Sequence, residues 1–310
     1  MADNSSHINT PTLIVLLGPT GVGKTELSLR LAESLHCDIV SSDSRQIFRE
    51  LKIGTAAPTE QELQRVKHHF IGTQSIFTPY SAGQYESDAL AKLEELFKIQ
   101  PVQLLVGGSM MYIDALCKGM DDIPSVSPEL RLRLRQEYEE KGLAWVQEAL
   151  RDVDPVHFSR VDQHNHQRML HALEVSIQTG KPYSSFCTGQ KKQRPFNILK
   201  IGLNRPRAEL YERINLRVDQ MMADGLLDEA TPLYPHRHIN SLNTVGYKEL
   251  FRYMSGEWTL EQAIQMIKQD SRHYAKRQLT WFNADHEIHW FDPREIDEVI
   301  LFTHQVINKN

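Results

Sequence analysis

Cysteine is scarce in these 310 residues: Cys37, Cys117 and Cys187 stand far apart, with no C-x-x-C pair. That excludes a cysteine-rich zinc module or a disulfide framework and points to a reducing cytosol. Long apolar runs are missing as well. The strongest near the start, Leu13–Leu17, falls far below the roughly 20 residues that span a bilayer. The leader MADNSSHINTPT lacks the apolar core of a signal peptide, so the chain is expected in the cytoplasm, with no membrane partner. Asn4-Ser5-Ser6 matches a glycosylation sequon, and without secretion it is expected to be a chance match. No low-complexity tract or repeat period stands out. Excess positive charge is also absent: the net charge is −5, which weighs against a generally basic nucleic-acid binder.

What is present suits a globular protein. Hydrophobic residues make up 40% and charged residues 24%, enough for a sizeable core. The length exceeds the about 100–200 residues of one typical domain. Strand-length apolar runs recur at 12–18, 37–42, 101–108, 196–203 and 287–291. Between the first two, Leu27, Leu31 and Leu35 repeat at helical spacing. Strand alternating with helix predicts an α/β fold, a parallel sheet flanked by helices. The alternation stops near Gly119, where helix patterns take over, with starts at Ser127-Pro128 and Asp154-Pro155. A helical insertion over 119–200 is therefore expected within a core made of 1–118 and 201–310. Two long helices, around 207–230 and 259–282, should follow. Residues 125–200 carry 12 Lys and Arg against 9 Asp and Glu, a positive stretch between acidic flanks.

The segment Gly18-Pro19-Thr20-Gly21-Val22-Gly23-Lys24-Thr25 fits the phosphate-loop pattern, and it follows a strand and opens a helix as the motif requires. Its backbone N–H groups and the helix N-terminus are suited to oxyanions. Lys24 can reach a terminal phosphate and Thr25 can ligate Mg²⁺, the one cofactor expected. Asp43 lies just past a strand, where open α/β sheets place ligands. It could serve as metal partner, general base or helix cap. His164-x-His166 and His236-x-His238 lack a third ligand at metal spacing and are read as surface.

GPTGVGKT, VSSDSRQIF, IGTAAPT, LLVGGSMMYIDAL, QRMLHALEV, RINLRVDQMMADGLLDEA, NTVGYKEL and YAKRQLTWF together resemble the successive signatures of bacterial tRNA dimethylallyltransferases, over roughly residues 12–291. The resemblance implies a P-loop-type core. It also implies transfer of a dimethylallyl group from dimethylallyl diphosphate to the exocyclic N6 amine of the tRNA adenine just 3′ of the anticodon. The phosphates are then a leaving group. In that reading Asp43 is the general base, and Lys24, the loop 18–25 and Arg217 stabilise the diphosphate; Arg213 lies four residues earlier on the same face. Asp43, Ser44, Arg45 and Gln46, together with Ser109 where the family more often has Thr, would lie beside the adenine. Arg131, Gln167, Arg168, Gly246 and Lys248 would contact tRNA, with His171 standing where the family usually has Arg. The stretches 131–135 and 191–194, with Lys276 and Arg277, would meet phosphates; Trp281 and Phe282 are read as core. The implied partners are the tRNA anticodon stem-loop and dimethylallyl diphosphate, for a chain expected to act as a monomer. Two other readings remain: a small-molecule kinase with 119–200 as lid over ATP, and a non-catalytic RNA-binding protein.

Overall fold

The computed structural model describes residues 10–309; Asn4-Ser5-Ser6 lies outside them. Six parallel strands form one sheet in the order β3-β2-β4-β1-β5-β6. They are β1 (Thr12–Leu17), β2 (Ile39–Ser41), β3 (His68–His69), β4 (Val102–Gly107), β5 (Asn197–Leu203) and β6 (Ile288–Phe291). β1 sits at the centre, with Thr12–Leu17 in register with Val102–Gly107 on one side and Asn197–Gly202 on the other. All six β1 residues are buried, the unbroken apolar pattern of a parallel strand covered on both faces.

Successive side chains of a strand point to opposite faces, and the core divides accordingly. Ile14 and Leu16 pack with Leu27, Leu31 and Leu35 of α1 (Lys24–Leu35). Leu13, Val15 and Leu17 pack on the other face. Their partners are Tyr85, Ala89 and Leu93 of α3 (Ala82–Phe97) and Tyr112, Ile113 and Leu116 of α4 (Met110–Lys118). A short α2 (Glu60–Arg65), closed by a Thr59/Glu62 capping box, precedes β3.

Residues Gly119–Lys192 form a separate compact unit. It holds α5 (Pro128–Val153), α6 (Pro155–Phe158) and α7 (His166–Thr179) around Leu134, Val146, Leu150, Met169 and Leu173. The two Ser-Pro and Asp-Pro starts are N-caps: Ser127 accepts from Leu130 N, and Asp154 accepts from His157 N. The core unit resumes at Gln193, not at 201, because Asn197–Lys200 already pair with β1.

The rest of the core unit comprises α8 (Arg207–Ala223), α9 (Leu226–Ala230), α10 (Tyr247–Met254), α11 (Leu260–Phe282) and α12 (Ile296–Ile307). The single helix expected over 207–230 is two, because Gly225 adopts φ 98° and breaks it. Residues of α8 to α11 form a third apolar cluster with Ile47, Phe48, Leu51 and Ile76, which follow β2. That cluster supports the loops of the site.

Candidate active site

β1, β2 and β4 each end in a segment carrying expected site residues: 18–25, 42–46 and 108–109. The parallel arrangement brings these three strand ends to one edge of the sheet, where open α/β folds bind ligands. A cavity of about 370 Å³ there is lined by Thr20, Asp43, Ser44, Arg45, Thr55 and Arg217. The same wall includes Gly246, Lys248, Tyr274 and Arg277.

The phosphate loop is shaped by glycine. Gly21 has φ 79°, and a Cβ there would lie 2.8 Å from Ile214 Cγ1 of α8, so no larger residue fits. Gly23 precedes α1 without a side-chain cap. The N–H groups of Gly21 and Gly23 donate to no acceptor among the described residues, leaving them for an anion. Lys24 Nζ donates to the carbonyls of Gly18 (2.8 Å) and Pro19 (3.0 Å). Burial and the positive charge of Arg217 push its pKa down to about 8, against the pull of Asp43.

Arginines surround the loop. Arg217 of α8 places Nη1 3.4 Å from Thr20 Oγ1 and Nη2 3.4 Å from the Thr55 carbonyl. Burial lowers its pKa, Asp43 acts against that and Arg213 with it; the guanidinium nonetheless stays charged. One turn earlier, Arg213 Nε donates to the Gly21 carbonyl at 3.0 Å. Arg205 donates to the Val22 carbonyl at 2.8 Å. Arg205 was not anticipated, although it stands two residues beyond β5 and is visible there as a strand-end cation.

Asp43 Oδ1 accepts from the backbone N–H of Arg45 (2.8 Å) and Gln46 (3.2 Å). It therefore caps the turn that follows β2, one of its three possible uses, while Oδ2 has no hydrogen-bond partner among the described residues. The cap aims the free oxygen by tying down its twin. Ser109 Oγ accepts from Ser44 N (2.8 Å) and bonds Ser44 Oγ (3.0 Å). Arg45 donates to the Ser241 carbonyl, and Gln46 to the carbonyls of Thr55 and Ala56. The Tyr274 hydroxyl is pushed up to about 12, by burial first and then by Asp43.

Gln278 was missed by residue type, since a glutamine carries no charge to flag it. Buried in α11, it accepts from Thr20 N (2.9 Å) and donates to the Gly108 carbonyl (2.8 Å). It thereby ties the phosphate loop to the end of β4.

The remaining expected contacts have partners of their own or lie in the helical unit. Lys248 lines it but is ion-paired with Asp270 (2.9 Å) and Glu249 (3.3 Å). Gly246 starts α10, its N–H bonded to Glu249 at 2.7 Å. Arg131, Gln167, Arg168 and His171 belong to the helical unit. Arg131 contacts Glu174 at 3.3 Å, with His171 3.9 Å from the same carboxylate; Gln167 and Arg168 are exposed. Arg194 is not available to phosphates: its side chain is buried, paired with Glu86 (2.7 Å) and bonded to the Leu116 carbonyl. Phe282 is core as expected, but Trp281 is 46% exposed, its indole N–H donating to Asp114. No group of three or more His, Cys, Asp or Glu suited to a metal occurs among the described residues.

Comparison with known proteins gives a consistent match. A family model described as IPP transferase matches residues 46–285. The tRNA dimethylallyltransferase 1 of Bacteroides thetaiotaomicron is 59% identical over 292 residues, 94% of this chain and 95% of that protein. The tRNA dimethylallyltransferase 2 of Parabacteroides distasonis is 57% identical over 293 residues, 94% and 97% of the two chains. Among solved structures, the tRNA isopentenylpyrophosphate transferase of Bacillus halodurans aligns with TM-score 0.71 at 33% identity, covering 96% of this chain and 97% of its own. A eukaryotic dimethylallyltransferase described as acting on tRNA aligns with TM-score 0.78 at 25% identity, covering 93% and 75%.

Proposed function

The chain belongs to the IPP transferase family, and from that premise we propose that it transfers a dimethylallyl group from dimethylallyl diphosphate to N6 of the adenine just 3′ of the tRNA anticodon, giving N6-dimethylallyladenosine and diphosphate. One observation carries the reading: Asp43 lines the same cavity as Thr20 of the phosphate loop and Arg217. Acid–base chemistry and an anion site share one space.

The chemistry follows from that arrangement. The loop N–H groups and Lys24 hold the diphosphate, Lys24 exchanging its two backbone carbonyls for phosphate oxygens. Arg217 adds a planar, permanently charged donor set. As the bond from the allylic carbon to oxygen breaks, its electron pair stays on the diphosphate, and these cations offset the growing charge. The N6 lone pair forms the new bond, and Asp43 accepts the N6 proton. The flipped adenine must be held by shape and edge contacts; the hydroxyls of Ser44 and Ser109, with Arg45 and Gln46, are suited to that.

Mg²⁺ fits the donor set. Thr25 is exposed in the first turn of α1, and a hydroxyl oxygen beside a diphosphate is the hard ligand this ion prefers. Bound there, it would neutralise part of the diphosphate charge. We assign Gly119–Lys192 to the anticodon stem-loop, a reading supported by its exposed arginines, Arg131, Arg133, Arg135 and Arg168 among them. No described helix is long and apolar enough to cross a membrane; a tRNA substrate is in keeping with action in the cytoplasm, and a monomer is the proposed state.

The test is incubation of the protein with Mg²⁺, tRNA and labelled dimethylallyl diphosphate, and separately with labelled ATP and small-molecule acceptors. Label in tRNA is the expected result. Label passing from ATP to a small molecule would establish the kinase reading, which none of the relatives above supports.

A further inference from the structure

Glu229 of α9 has no part in the chemistry above, yet its carboxylate is saturated. Oε2 accepts from the N–H of Lys52 (2.9 Å) and Ile53 (2.8 Å). Oε1 accepts from the N–H of Gly54 (3.0 Å) and the hydroxyl of Tyr247 (2.5 Å). Three consecutive N–H groups turned onto one carboxylate form an anion-binding nest, here filled by the protein itself.

The loop so held is otherwise an unfavourable one. Gly54 lies against the Tyr247 ring, and a Cβ there would sit 2.6 Å from Cε2. Ala56 has φ 45°, a left-handed conformation that a non-glycine residue keeps only when its surroundings impose it. Two carbonyls of that loop make three contacts to the site. The Thr55 carbonyl accepts from Gln46 Nε2 (3.1 Å) and from Arg217 Nη2 (3.4 Å), and the Ala56 carbonyl accepts from Gln46 Nε2 (3.0 Å).

We propose that Glu229, seated by Tyr247, is a positioning residue: by clamping residues 52–54 it sets the Thr55 and Ala56 carbonyls that orient Arg217 and Gln46. Diphosphate binding and adenine placement then depend on a carboxylate that touches neither. The inference rests on the function proposed above.

Glu229→Gln keeps the shape but loses one acceptor oxygen and the charge. In the full-length protein, affinity for inorganic pyrophosphate, read by calorimetry, should fall about tenfold, and kcat for prenyl transfer about 10–100-fold, the scale of a small misplacement at a reacting centre. Circular dichroism should be unchanged. In an Arg217→Ala background the same substitution should cost less than about threefold in pyrophosphate affinity, since residues acting through one another are non-additive. A general loss of fold would add fully. If Glu229→Gln does not fold, Tyr247→Phe, which removes only the hydroxyl, decides the matter by a several-fold loss of pyrophosphate affinity. Unchanged affinity in a folded variant, or full additivity with Arg217→Ala, overturns the proposal. Wild-type protein that binds pyrophosphate but prenylates no tRNA would refute the function instead, with the clamp still judged by pyrophosphate.

Discussion

At the scale of single residues, Asp43 divides its work between two oxygens: Oδ1 holds the turn 44–46 and Oδ2 is free. Asp43→Ala should lower turnover about 10²–10⁴-fold, the usual cost of losing a general base, with pyrophosphate affinity nearly unchanged. Steady-state rates within threefold of wild type would remove Asp43 from the chemistry. Lys24 gives a pH dependence of definite sign. Its pKa, pushed down to about 8 by burial and Arg217, leaves the ammonium largely charged below that pH and largely neutral above it. A bound anion favours the charged form. The advantage of wild type over Lys24→Met in pyrophosphate affinity, a ratio that cancels the ligand's own protonation, should therefore be constant below about pH 8 and shrink by up to about tenfold per unit above it, one proton being linked to binding. A calorimetric titration series on both proteins checks this.

At the scale of elements, the phosphate loop was legible because its glycine spacing has one structural use, and the central strands because their apolar runs admit few alternatives. β3, two residues long and half-buried, carries no such signal. Gly225 was visible as a helix breaker, but the apolar spacing on both sides of it concealed the break between α8 and α9. The lysine and arginine run at 191–194 read as one basic patch. Tertiary context splits it, because Arg194 meets buried Glu86. Gln278 was illegible for a different reason: its role depends on two backbone groups 258 and 170 residues away. Its loss can still be forecast. Gln278→Ala leaves Thr20 N and the Gly108 carbonyl without this partner, which should cost about 1–3 kcal/mol of stability. Chemical denaturation should show that cost, and pyrophosphate affinity should drop with it as the loop loosens. Stability and affinity equal to wild type would mean that the phosphate loop holds its shape without α11.

At the scale of the whole molecule, the acidic net charge and the exposed arginines of the helical unit pull the functional reading in opposite directions. Local distribution decides. Phosphate contacts release counterions, so log affinity for tRNA should fall linearly with log salt, by about 0.7–0.9 per contact. Replacing Arg131 and Arg168 with Ala should weaken tRNA binding and flatten that slope by up to about two units. Affinity for dimethylallyl diphosphate should stay unchanged. Arg131 is engaged with Glu174, so its share should be the smaller of the two. The reverse pattern, tRNA affinity unmoved and diphosphate weakened, would make the unit a lid. The most direct test of the account is the identity of the nucleoside produced. Unmodified tRNA incubated with the protein, Mg²⁺ and dimethylallyl diphosphate is digested and its nucleosides are separated by mass. The account predicts N6-dimethylallyladenosine at the single position 3′ of the anticodon, lost on Asp43→Ala. Unmodified nucleosides throughout, or prenylation that survives Asp43→Ala undiminished, would contradict it.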